Sequence, residues 1–219
     1  MRTALVFVLL AAATPALAQT PGTTPLPLAM DLRKAPVGAW SEYNVSISDL
    51  PPMKQRFAVV ARDSDTHSVE MISEGGPLGK NKMVLRFVLE ADPKKERVRR
   101  SLIQLGDNDP MELPPGSGQF TPPKKQLGSA TVKVAAGSFS TRHYKDKSKD
   151  GSVMELWASD QAPPFGIVKL RGEALEGKNP ITMELVARGT DAKPAVTKTP
   201  QPFSPEVLSG QMRRALEGK

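Results

Sequence analysis

Four stretches of the chain carry residue types that do chemistry. Asp63-Ser64-Asp65-Thr66-His67 brings two carboxylates and an imidazole close together. That set would suit general acid–base work. It equally suits the polar turn of a hairpin, where Asp supplies the turn geometry, and the turn is the preferred reading. Gly106-Asp107-Asn108-Asp109 is rich in oxygen ligands. It lacks the downstream spacing and the bidentate Glu of a calcium loop. His143 follows Ser140, Thr141 and Arg142. A serine nucleophile needs an acid partner and an oxyanion hole, and the chain has no Gly-x-Ser-x-Gly elbow. His143 is therefore read as a structural strand histidine.

The fourth stretch is the basic run Lys94-Lys95-Glu96-Arg97-Val98-Arg99-Arg100. Lys94, Lys95, Arg97, Arg99 and Arg100 could meet phosphate, lipopolysaccharide or an anionic membrane surface. Such charges also blunt the pairing edge of a strand. No aromatic residue interleaves with them to stack bases, so nucleic acid is not an expected partner.

Composition narrows the chemistry further. The 219 residues include no cysteine, two histidines and 21 prolines, with a formal net charge of +7. Disulfides, Cys-ligated zinc, iron–sulfur clusters and thiol nucleophiles are excluded. No constellation of nucleophile, acid and base stands out, so the expectation is a non-enzyme without a cofactor or metal.

The elements that position these residues begin after a secretory signal. Arg2 supplies the charged start, Ala4 to Ala13 form an apolar run, and Ala16-Leu17-Ala18 gives a small-x-small cleavage site before Gln19. Ten apolar residues make ~15 Å of helix, against ~30 Å of hydrocarbon. The run is thus read as a cleaved signal over residues 1–18, and no later stretch is long enough to span a bilayer. Export to the periplasm, or secretion, is expected. Residues 19–36 and 192–204 are Pro-rich and aperiodic, and are read as a flexible leader and a linker. One domain is expected between them, over 37–191, with a C-terminal helix over 205–219.

Within that domain the period is two. Tyr43, Val45 and Ile47 alternate with Glu42, Asn44 and Ser46. Met83, Leu85, Phe87 and Leu89 share one face of the strongest strand, and Val84, Arg86 and Val88 share the other. Further strands are expected over 57–61, 67–71, 98–105, 131–135, 138–145, 153–158, 167–173 and 181–188. Turn signals separate them, so the fold class is all-β: an antiparallel open or half β-barrel. The last segment alone reads as helix. Ser204 suits the N-cap, Pro205 the first helical position and Glu206 the positive helix end. Leu208, Met212 and Leu216 then share a face.

Several short segments together resemble a group of exported, uncharacterised bacterial proteins of myxobacterial type. These are Val37-Gly38-Ala39-Trp40-Ser41-Glu42-Tyr43, Pro110-Met111-Glu112-Leu113-Pro114, Ala136-Gly137-Ser138-Phe139 with Arg142-His143-Tyr144, and Leu156-Trp157-Ala158-Ser159-Asp160 with Pro163-Pro164-Phe165-Gly166-Ile167-Val168-Lys169. The last two are also similar to secreted β-proteins related to the periplasmic lipoprotein carrier LolA. That resemblance implies an open half-barrel whose concave apolar face receives acyl chains. Here 75–80 and 113–127 are too rich in Gly and Pro for the long helices that plug such carriers.

Two functions follow as expectations. One is a periplasmic carrier for a lipid or other apolar ligand, lined by Val59, Met71, Leu85, Phe87, Phe139 and Trp157, with Met71, Met83, Met111, Met154 and Met183 lending adaptability. The other is a protein-interaction or assembly component of the cell envelope, using the basic run, the leader and the C-terminal helix.

Overall fold

The computed structural model describes residues 26–217 apart from 49, 93–97, 116, 119, 148–152 and 175–178. The expected signal segment lies outside the described residues, as does Asp150-Gly151, a turn signal between the strands expected over 138–145 and 153–158. In chain order the strands are β1 (Leu26–Pro27), β2 (Trp40–Ile47), β3 (Met53–Arg62), β4 (Thr66–Gly75), β5 (Lys82–Glu90), β6 (Val98–Leu105), β7 (Met111–Glu112), β8 (Phe120–Thr121), β9 (Gln126–Val134), β10 (Gly137–Lys147), β11 (Val153–Ala158), β12 (Ile167–Ala174) and β13 (Asn179–Gly189). Helix α1 spans Pro205–Glu217.

Eleven strands form one sheet in the order β7-β6-β5-β4-β3-β2-β13-β12-β11-β10-β9. Every pair within it is antiparallel. The sheet does not close: β7 stands at one edge and β9 at the other. This is the all-β, antiparallel open half-barrel with a short C-terminal helix that the residue pattern predicts.

The period-two pattern sets the register, because a one-residue slip would turn the apolar set to solvent. Phe57 faces Met71, Met71 faces Leu85, Leu85 faces Ile103 and Ile103 faces Met111 across four neighbouring pairs. All five are buried and belong to one core on the concave side. Edge-to-face aromatic contacts tie that core together, at 5.7 Å between Tyr43 and Phe57 and 4.9 Å between Phe57 and Phe165. Burial pushes the Tyr43 phenol well above its ordinary range, while its hydroxyl donates to the Ile167 carbonyl at 2.9 Å.

The leader departs from its expected flexibility from Leu26 onward. Leu28, Met30, Leu32 and Ala35 are buried in the concave core. β1 pairs in parallel with β8, placing Leu26 beside Phe120. The Ala29 amide donates to the Phe165 carbonyl at 2.9 Å. Arg62 reaches the Leu32, Arg33 and Ala35 carbonyls that end a short 3-10 turn. The physical reason is plain in the residues: Leu26, Leu28, Met30 and Leu32 alternate with smaller or polar neighbours, and the curved sheet offers an apolar trough for them.

The Pro-rich segment after β13 is pinned as well. It crosses the convex side from β2 to β7. At its start the Trp40 indole N–H donates to Asp191 at 2.7 Å, and the Ala192 amide donates to the Gly38 carbonyl at 3.0 Å. Gly38 has φ +90, and a Cβ there would run into the Thr190 carbonyl oxygen. Midway, Val196 packs on Val84 and Leu102. That explains why strand β5 is apolar on both faces: one faces the core, and Val84 on the other lies under this strap. At its end the strap pairs with β7 through a parallel bridge between Met111 and Gln201. Helix α1 follows, with Ser204 Oγ accepting from the Val207 amide at 3.3 Å. Leu208 is buried and Met212 packs against the core.

Candidate functional site

The predicted ligand-lining set is divided by the sheet. Val59, Met71, Leu85, Phe87 and Phe139 sit together in the concave core, all at most 6% exposed. They face not an open trough but Leu28, Met30, Phe120 and Phe165, which fill it. Phe87 meets Phe120 edge-to-face at 5.1 Å. Trp157 is absent from that cluster. Its neighbours Leu156 and Ala158 point into the core, so strand alternation turns Trp157 to the other side. There it stacks on His143, with ring centroids 4.6 Å apart and an interplanar angle of 4°. Between the leader and β5 a cavity of about 30 Å³ remains, lined by Leu28, Met30, Leu32, Leu89 and Phe120. It has room for a water molecule, not for an acyl chain.

The basic run divides too. Lys94, Lys95 and Arg97 lie outside the described residues. Arg99 grips Glu90 through two hydrogen bonds of 2.6 and 2.8 Å. Arg100 pairs with Glu112 at 2.8 Å. These two arginines brace β5, β6 and β7 to one another. They flank a groove of about 460 Å³ lined also by Leu113, Pro114, Pro202 and Phe203.

The other chemistry-bearing stretches serve as joints. Asp63 to Asp65 form the β3–β4 turn, closed by the Asp63 amide on the Thr66 carbonyl at 3.0 Å. Thr141 donates to the Ala130 carbonyl at 2.7 Å, and His143 Nε2 lies 4.0 Å from Glu155. Lys145 holds the Glu155 carboxyl below the usual carboxylate range by direct hydrogen bonding, and the charge of Lys145 adds to this. In the Asp107–Asp109 loop, Lys198 from the strap contacts the Asp107 carbonyl at 2.8 Å and the Asp109 carboxylate at 3.1 Å. Among the described residues no group of three His, Asp or Glu could hold a metal ion.

The sharpest polar feature lies outside every sequence expectation. Glu70 on β4 is fully buried. Its Oε1 accepts from Arg86 Nε on β5 at 2.9 Å and from Nη2 of the same guanidinium. Its carboxylate also accepts the strap amides of Ala195 and Val196 at 2.7 and 3.1 Å. Arg86 then donates to the Val196 carbonyl at 2.6 Å. One carboxylate and one guanidinium thus clamp the strap to the convex face, with every buried charge partnered. Glu70 reads in the sequence as one more polar residue of an alternating strand. Its place opposite Arg86 follows from register alone.

The motif segments singled out in the sequence have a physical role in the fold. Gly38 and Trp40 hold the strap's start. Gly189 lies under Trp40, where a Cβ would come within 2.6 Å of the indole nitrogen. Met111 and Glu112 receive the strap's end. Phe165 and Gly166 hold the leader, with the space beside Gly166 taken by Met30 and Ala29. These residues thus sit where segments distant in sequence lock together.

At the other edge β9 presents a different surface. Among the described residues it pairs with β10 only, and Gln126 to Thr131 are exposed. Its last residue, Val134, is buried in the core. A bulge opposite His143 and Tyr144 leaves Leu127 out of register, and that side chain is 50% exposed.

No protein-family model matches the chain, and no curated protein matches its sequence. Among solved structures, it is similar to a hypothetical protein from Chlamydia trachomatis, with a TM-score of 0.45 and 13% identity over 80% of this chain and 98% of that one. It is also similar to a Bacteroides fragilis protein described as exported and of YmcC-like fold, with a TM-score of 0.36 and 12% identity over 75% of this chain and 98% of that one. Among the described residues no helix is long and apolar enough to cross a membrane.

Proposed function

We propose that the protein is an exported, non-enzymatic interaction component of the cell envelope. The observation that carries this reading is the filled concave face. Val59, Met71, Leu85, Phe87 and Phe139 contact the chain's own leader and loops, so the surface left for recognition is the outside of the sheet and its edges. The signal-like N-terminus supports export. In-cell photo-crosslinking from the exposed face of the full chain tests the reading. One partner in reproducible stoichiometry, captured from the periplasmic fraction, is expected. A chain that stays free in every fraction would contradict it.

A second reading, the carrier, has one observation in its favour. Much of the filling comes from Leu28, Met30 and Leu32 on a segment that makes few sheet hydrogen bonds. Were that segment to swing out, an apolar trough would open. Native mass spectrometry of protein purified from its own periplasm separates the two readings. Bound lipid would favour the carrier, and uniformly lipid-free protein that ignores a fluorescent lipid probe would remove it.

A further inference from the structure

The geometry points to strand β9 as a docking edge that takes an extended, acidic segment of a partner protein as an added antiparallel strand. This rests on the interaction reading above and names its surface. The sheet's two edges are treated oppositely. β7 is two residues long and is covered by the strap, with the Glu112 amide donating to the Gln201 carbonyl at 3.0 Å and the Gln201 amide donating to Pro110 at 2.7 Å. β9 is nine residues long, contains no proline and has no strand on its outer side among the described residues. A strand edge of that length presents unpaired N–H and C=O groups, which are a template for another strand.

Charge selects the occupant. Lys124, Lys125 and Lys133 are exposed along and beside β9, and none has a carboxylate within salt-bridge distance among the described residues. Asp146, the nearby acid, is engaged by the Lys124 and Lys125 backbone amides at 3.1 and 3.2 Å. A chain of net charge +7 is a poor partner for itself through a lysine-bearing edge, and a good one for a segment carrying carboxylates. The half-exposed Leu127 gives that segment an apolar contact where the regular register ends.

The test uses the full mature chain and capped eight-residue peptides of alternating Val and Thr with Glu, beside the same peptides with Lys for Glu. Hydrogen exchange and titration are read together. The acidic peptide is expected to slow exchange across residues 126–131 and to bind about tenfold tighter than the basic one at low salt. That preference should shrink as salt rises. N-methylation of the acidic peptide along one edge should abolish protection. Leu127→Ser removes the apolar contact without changing the charge, and should weaken binding while leaving the melting temperature in place, which keeps a folding defect apart from a lost contact. Absent protection at saturating peptide, or equal binding of the two peptides, would overturn the inference. So would protection of β9 that grows with protein concentration alone, because the occupant would then be a second copy. If β9 stays bare while a periplasmic partner still crosslinks elsewhere, this inference falls and the interaction reading stands. If the peptide docks but no cellular partner is captured, the reverse holds.

Discussion

The two edges of this sheet solve the same problem in opposite ways. At β7 the chain covers its own edge: a proline-rich strap crosses the convex face, is gripped midway by Glu70 and Arg86, and pairs with Met111 at its end. At β9 the chain leaves six exposed residues, guarded among the described residues only by lysines and a bulge. An edge strand is a liability unless it is short, covered, charged or bent. The contrast teaches that the covered edge belongs to stability, whereas the bare edge leaves its outer backbone groups without a strand partner among the described residues.

The largest expected effect lies at the clamp. Glu70→Ala leaves a half-buried guanidinium and two strap amides without their acceptor. Loss of one partner of a buried pair should cost about 3–5 kcal/mol in urea unfolding. The Ala195 and Val196 amides should lose their exchange protection at the same time. A loss below about 1 kcal/mol would mean that the strap is not held by this carboxylate. Next comes Leu208→Ala, where a fully buried leucine anchors α1. A cost of about 2 kcal/mol is expected, at the low end for such deletions because the helix packs on one side only.

On the bare edge the same kind of measurement should be nearly silent. Leu127→Ser should change unfolding free energy by less than about 0.5 kcal/mol, although it alters the exposed face of β9. The smallest effect is a pH dependence at the strap's start. The Trp40 indole N–H holds the Asp191 carboxyl below the usual carboxylate range, and the charge of Arg56 adds to this. A depressed folded value means that this contribution is complete above the ordinary carboxylate range. It is lost as pH falls through the depressed value. Asp191→Asn should therefore flatten a small part of the thermal-stability loss between about pH 5 and pH 2. An unchanged acid limb would detach Asp191 from the strap's hold.

The sequence pattern exposed the covered parts of this fold far better than the bare ones. β5 and β6 were legible because Met83, Leu85, Phe87 and Leu89, and then Ser101, Ile103 and Leu105, alternate against a core. The helix was legible through Ser204, Pro205 and Leu208. The first half of β9 was not. Gln126 to Ala130 are exposed on both faces, so no apolar alternation marks them, and Gly128 argues against a strand. The packing of the leader and strap is not legible in the sequence because proline suppresses the period without preventing packing. Leu28, Met30 and Val196 are buried all the same. The clamp was illegible for another reason: Glu70, Arg86 and Val196 meet only through register and a long crossing, and none of the three is unusual in its local sequence.

The central claim is that one edge is sealed by the chain itself and the other is bare among the described residues. Residue-resolved hydrogen exchange on the dilute monomer tests it most directly. The account predicts strong protection of the Ala195, Val196, Gln201 and Glu112 amides, with outward-facing amides between Gln126 and Thr131 exchanging at nearly free-chain rates. Protection of β9 in the monomer equal to that of β7, or free exchange along the strap, would contradict it.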